Sequence, residues 1–212
     1  MGNTMSAVAL TLYVLYLLTA FALRSLLHYR RSGSTGFRGF SGRPGSLESW
    51  GGVLFAFAVI LGLVAPLLQL LGLLSPIPAL DGVAGWVAGL ILAVIGIVVV
   101  LAAQQEMGTS WRIGVDQREV TALVTSGLFR QIRNPIFTSV ITTATGLTLL
   151  TPNVLALVGL AALVTAIQLQ VRVVEEPYLR ATHGRSYEVY AARAGRFLPR
   201  LGRLPTTVST GK

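Results

Sequence analysis

Residues 134–171 read NPIFTSVITTATGLTLLTPNVLALVGLAALVTAIQLQV, 38 positions without a single charge. As one straight helix this run would measure about 57 Å at 1.5 Å per residue. A bilayer core is only about 30 Å thick, so the run must fold back on itself. Thr151-Pro152-Asn153 stands at its middle and supplies the turn. Two short apolar arms result, near 135–150 and 153–172. The decisive stretch is therefore a helical hairpin inside a membrane.

Working outward, residues 6–23, 49–80 and 82–105 are also uncharged. They predict spans over 6–27, Trp50–Leu74 and 83–105, since roughly 20 helical residues cross a bilayer. Pro66 is expected to kink the second, and Ser75-Pro76-Ile77-Pro78 to end it. The first run lacks a basic n-region and is read as a retained span rather than a signal peptide. The fold class expected is an all-α polytopic membrane protein of about five transmembrane helices, including the short hairpin.

Charge orients this arrangement. All 17 Lys and Arg fall in three segments: Arg24–Arg43, Arg112–Arg133 and Arg172–Lys212. The second and third runs are separated only by Asp81. Cytoplasmic loops carry the Lys/Arg excess, so the three segments are read as cytoplasmic, with the N-terminus outside and the C-terminus inside. The protein is expected in a plasma or inner membrane. Its net charge of +9 is assigned to contact with anionic lipid headgroups, not nucleic acid, because the basic residues alternate with spans.

Composition narrows the chemistry. Apolar residues make up 53% of the chain and charged residues 12%, about half the usual globular share. With no cysteine and only His28 and His183, disulfides, a Cys nucleophile and a histidine-based metal cluster are excluded. Residues 30–46 carry glycine at 33, 36, 39, 42 and 45 and read as a flexible loop. Phe37 and Phe40 in it could dip into the interface, or the loop could cover a site. Residues 178–194 read as a basic helix at the membrane surface, with Tyr187 and Tyr190 on one face.

Two segments flank the hairpin. The first runs Leu123-Val124-Thr125-Ser126-Gly127-Leu128-Phe129-Arg130-Gln131-Ile132-Arg133-Asn134-Pro135-Ile136-Phe137. The second runs Arg172-Val173-Val174-Glu175-Glu176-Pro177-Tyr178-Leu179, then Gly184, Tyr187, Tyr190, Arg193 and Arg196-Phe197-Leu198-Pro199. Pro135 suits a first helical turn, which points orphan N–H groups into the headgroup region, where they can hold an anion. The second arm returns to the same face. Arg130, Arg133 and Asn134 are thus expected to meet Arg172, Glu175 and Glu176 where water meets lipid. Carboxylates at a span end need partners or a cationic ligand. Taken singly, these arginines also read as phosphate anchors and these tyrosines as interfacial anchors.

Together and in this order, the two segments resemble the isoprenylcysteine carboxyl methyltransferase family and its relatives among the phospholipid methyltransferases. The likeness covers about residues 105–200. It implies a cytoplasmic pocket for S-adenosylmethionine at the hairpin ends, and a lipid-borne acceptor entering from the bilayer. On that resemblance, the cofactor-binding residues would be Leu123, Val124, Phe129, Asn134, Phe137, Glu175 and Tyr187. Arg172, Arg133 and Glu176 would serve the reaction: an arginine to hold an anionic head, and Glu176 to take a proton from an amine acceptor. The chain departs from the family pattern at Asn134, which replaces a His, and at Phe129 and Phe137, which replace tyrosines. Asn keeps hydrogen-bonding ability.

The domain organisation expected is three apolar helices with a basic Gly-rich loop (1–104), a methyltransferase-like region (105–200) and a flexible tail (201–212). The function expected is methyl transfer to an amphiphilic acceptor, with carboxyl O-methylation favoured because a carboxylate needs no general base. Two rivals stand beside it: a nicotinamide-dependent membrane reductase of the sterol-reductase type, and a non-catalytic membrane relative.

Overall fold

The computed structural model describes residues 2–33, 35, 43–108 and 122–205. Phe37 and Phe40 of the glycine loop, and Arg112 and Arg118 of the second basic segment, lie outside the described residues. The described chain is helical. Helix α1 (Gly2–Leu17) passes through a wide π turn (Leu18–Leu23) into α2 (Arg24–Ser32). Then come α3 (Leu47–Leu70), α4 (Val83–Met107), α5 (Pro135–Leu150) and α6 (Val154–Leu169). A second π turn (Gln170–Glu175) leads into α7 (Glu176–His183), followed by α8 (Arg185–Arg193).

Among the described residues, four helical stretches are long and apolar enough to cross a membrane: Gly2–Arg30, Leu47–Leu70, Val83–Met107 and Val154–His183. Pro135–Leu150 is a shorter apolar helix and forms the first hairpin arm. The chain is an integral membrane protein. Leucine, valine and isoleucine side chains stand exposed along α4, at Val83, Val87, Ile91, Val94 and Val98 among others, as a lipid-facing helix requires.

Local chemistry starts each helix where the sequence marks it. Ser46 caps α3 by accepting from the Ser49 N–H at 3.2 Å. Pro135 opens α5. The hairpin turn is tied into the bundle by Asn153, which is fully buried. Its Oδ1 accepts from the Ala156 N–H at 2.9 Å and caps α6, while its Nδ2 donates to Gln69 Oε1 at 2.8 Å. The Pro152 carbonyl accepts from the Ile77 N–H at 2.7 Å, fixing the preceding loop to the same turn.

Small residues let α5 lie close against α4. A Cβ on Gly146 would strike the backbone N of Ala93 and lie 2.5 Å from the Gly89 carbonyl oxygen; one on Gly96 would strike the Thr143 hydroxyl. Such contacts are how helices associate where lipid removes the hydrophobic drive between them. On the other side α3 packs on α6, and Tyr13 of α1 donates its hydroxyl to the Val59 carbonyl of α3 at 2.6 Å.

Four boundaries differ from expectation. Helix α3 runs through Pro66 and stops at Leu70, with Leu71–Leu74 already in the turn. The second hairpin arm does not end near 172 but continues to His183. In a regular α-helix the Pro177 ring would meet the carbonyl of residue 173, and the wide turn just before it relieves that crowding. The helix read over 178–194 breaks at Gly184, whose φ of 49° is a left-handed conformation suited to glycine. Residues 201–205, read as the start of a tail, return to the body: the Leu204 N–H donates to the Ala191 carbonyl at 3.0 Å.

Candidate active site

The hairpin brings its two flanking segments together at one end of the bundle. The chain before α5 runs beside the chain after α8. Arg133 N–H donates to the Gly195 carbonyl at 2.8 Å, Gly195 N–H to the Gln131 carbonyl at 2.9 Å and Asn134 N–H to the Arg196 carbonyl at 3.2 Å. The Asn134 side chain adds a bond from Nδ2 to the same Arg196 carbonyl at 3.0 Å. Tyr190 reaches back from α8 and donates its hydroxyl to the Phe129 carbonyl at 2.7 Å. Glu106, at the end of α4, accepts the Leu128 N–H at 2.8 Å. It crowds the spot where Gly127, at a φ of 54°, would carry a side chain.

An ion cluster locks this junction. Glu176 Oε1 accepts from Arg133 Nη2 at 2.9 Å and from Arg196 Nε at 2.7 Å; its Oε2 accepts from Arg196 Nη2 at 3.0 Å. Arg133 further donates from Nη1 to the Ala191 carbonyl at 2.8 Å and from Nη2 to the Gly202 carbonyl at 3.0 Å. Its buried Nε has no partner among the described residues. Two guanidiniums and one carboxylate leave the cluster with one surplus positive charge.

Inside this junction lies a cavity of about 210 Å³. Leu123, Val124, Phe129, Asn134, Phe137, Glu175 and Tyr187 all line it, and so do Arg133 and Glu176. Arg172 does not. It is exposed, with Nε donating to Gln168 Oε1 at 2.8 Å. In an α-helix, residues three and four apart share a face. The π turn from Gln170 to Glu175 breaks that phase, so Arg172 and Glu175 part company.

Two tyrosines are held neutral here. Burial, first of all, pushes Tyr187 up to about 12, and the neighbouring Glu176 carboxylate adds to this while Arg133 opposes it. Burial raises Tyr190 as well. Arg196 is raised by its hydrogen bond to Glu176, which outweighs the lowering by burial.

The cavity also has walls from the first three spans, which sequence reasoning treated as merely apolar. Tyr16 and Phe21 from the N-terminal span, Phe55 of α3, and Val100 and Gln104 of α4 all line it. A smaller apolar crevice of about 70 Å³ lies between α1, α3, α5 and α6. Tyr16, Phe21, Phe55 and Val140 line both spaces. Gln104 had a signal, since an amide in an intramembrane run marks a site by default. Arg196 was in view within a quoted motif but carried no role.

A helical membrane protein with a polar-edged cavity where a hairpin meets the C-terminal segment is the class these observations define. Residues 84–186, from α4 into α8, match the family model described as phospholipid methyltransferase, and over this stretch the chain is similar to that family. The matched family is one of methyltransferases. No curated protein matches the chain.

Proposed function

We propose that the protein transfers a methyl group from S-adenosylmethionine to an amphiphilic acceptor at the cytoplasmic membrane surface, with a carboxylate as the favoured acceptor group. One observation carries this reading: the seven residues that motif resemblance marks for the cofactor line a single cavity at the hairpin ends. When bound, the cofactor supplies a sulfonium-activated methyl group that a carboxylate oxygen can take in line, releasing a neutral thioether.

The chain's own residues then bind, orient and exclude water. Glu175 complements the cationic methionyl part. Leu123, Val124, Phe129 and Phe137 form the apolar wall around the nucleoside and keep water out. Arg133 keeps one buried N–H without a partner among the described residues and sits in a cluster with surplus positive charge, so it is the group to hold a carboxylate, whether of cofactor or acceptor. Arg172, exposed and outside the cavity, carries no such role. Glu176, with both oxygens taken by guanidinium N–H groups, is a positioning residue. Residues 105–200 form the methyltransferase region in this reading, with walls from the N-terminal spans completing it on the membrane side.

The acceptor's tail runs into the apolar crevice that shares four wall residues with the main cavity. The test is methyl transfer from labelled cofactor to lipid acids, prenylated thioether acids and aminophospholipids, beside tailless analogues. Tailed acids are expected to react best. Equal reaction of the tailless analogues contradicts the membrane-borne acceptor.

A further inference from the structure

Two buried polar atoms on residues that line the cavity have no partner among the described residues. Gln104 is 3% exposed and Tyr16 5%. Gln104 Nε2 donates to the Ala20 carbonyl at 2.8 Å, which sets the amide's orientation; a flip would press oxygen against oxygen. Its Oε1 is therefore the atom left over, buried and unbonded among the described residues. The Tyr16 hydroxyl is likewise buried and unbonded. Tyr13, nearly one turn earlier on the same helix, spends its hydroxyl on Val59. The α5 hydroxyls of Ser139, Thr142 and Thr143 bond back to carbonyls one turn earlier. Polar atoms inside this bundle are otherwise mostly satisfied, as buried polar groups generally are.

We infer that Gln104 Oε1 and the Tyr16 hydroxyl form an inner subsite that takes a neutral hydrogen-bond donor, a hydroxyl or amide N–H, on the acceptor between its reacting head and its tail. This deepens the methyltransferase reading and rests on it. An amide oxygen only accepts, so the ligand atom facing it must carry a hydrogen. A carboxylate there would set oxygen against oxygen, which keeps the acidic head outward, towards Arg133. A charged amine is disfavoured because the adjoining walls, Phe21, Phe55, Val100 and Val140, offer it no counter-charge. The position fits a neck: Tyr16 lines both the main cavity and the crevice, so a group bonded there has head space on one side and tail space on the other. Gln104 and Tyr16 are thus specificity-determining residues contributed by spans outside the two segments that flank the hairpin.

The experiment uses the full chain in lipid nanodiscs with saturating S-adenosylhomocysteine. The probes are 2- and 3-hydroxypalmitic acids, their methyl ethers, which keep the shape but lose the donor, and palmitic acid. At least one hydroxy acid should bind about 3–10-fold tighter than its methyl ether, the range for one hydrogen bond. Tyr16→Phe removes a hydroxyl that bonds to none of the described residues. It should keep thermal stability at or above that of the parent and cut the preference to less than about 2-fold. Gln104→Met should cut it too; if that variant fails to fold without Ala20's partner, Tyr16→Phe decides alone. Equal binding of alcohol and ether in the parent, or an unchanged preference in Tyr16→Phe, overturns the subsite. S-adenosylhomocysteine binding is read in the same samples. If it is absent while the cofactor-free protein still prefers the hydroxy acids, the methyltransferase reading fails and the subsite stands.

Discussion

Arg196 grips Glu176 with two parallel bonds, Nε to Oε1 at 2.7 Å and Nη2 to Oε2 at 3.0 Å. The pair joins the C-terminal segment to the returning arm of the hairpin. Arg133, from the segment before the hairpin, shares the same carboxylate. Three stretches distant in sequence thus meet on one side chain, and that meeting shapes the cavity. Arg196 is held above its ordinary range chiefly by the Glu176 hydrogen bond, so it stays charged at every working pH.

Removing the shared carboxylate should be costly, because two buried or half-buried guanidiniums lose their counter-charge. Glu176→Leu is expected to destabilise the protein by about 3–5 kcal/mol, and Arg133→Met combined with it by less than the sum of the two. Denaturation of the detergent-solubilised protein measures this. A loss under about 1 kcal/mol would show that the cluster fastens nothing.

Tyr187 predicts an alkaline limit. It is 1% exposed, and burial lifts its ionisation from 10.0 to about 12. A folded-state value above the unfolded one means the contribution is fully present below pH 10. It is lost as pH rises towards 12, because the unfolded chain releases the proton first. Thermal midpoints should therefore fall between pH 10 and 12, and Tyr187→Phe should flatten that fall. An identical slope in the variant would assign the alkaline loss to other groups.

Topology is testable because the chain contains no cysteine. Single cysteines placed at Thr35 and Asp81 should label from opposite faces of the membrane, position 35 from the cytoplasm and position 81 from outside. Labelling of both from one side contradicts the orientation proposed from the Lys/Arg distribution.

What could be read from the sequence was what local chemistry decides. Thr151-Pro152-Asn153 cannot continue a helix, and Asn153 caps the next one, so the hairpin was legible. Pro135 at the start of α5 was legible for the same reason. The cavity residues from Leu123 to Phe137 and from Glu175 to Tyr187 came from paired motifs whose order around a hairpin implies proximity. Arg172 escaped because its helical phase is set by a π turn, which no residue pattern announced. Tyr16 and Gln104 escaped because being unpartnered is a property of the packed bundle: Tyr13 and Tyr16 look alike in sequence, and only Val59 distinguishes them. The extension of the second arm to His183 was hidden because the uncharged run that defined the arm stops at Val171.

The most direct test of the account is calorimetric titration of the nanodisc-embedded protein with S-adenosylmethionine, in parallel with Glu175→Gln. The account predicts one bound cofactor per chain, and a variant that keeps its thermal stability but binds more weakly by roughly 1–3 kcal/mol, the range for losing a charged hydrogen bond. No binding to the parent protein, or equal affinity in the folded variant, would contradict it.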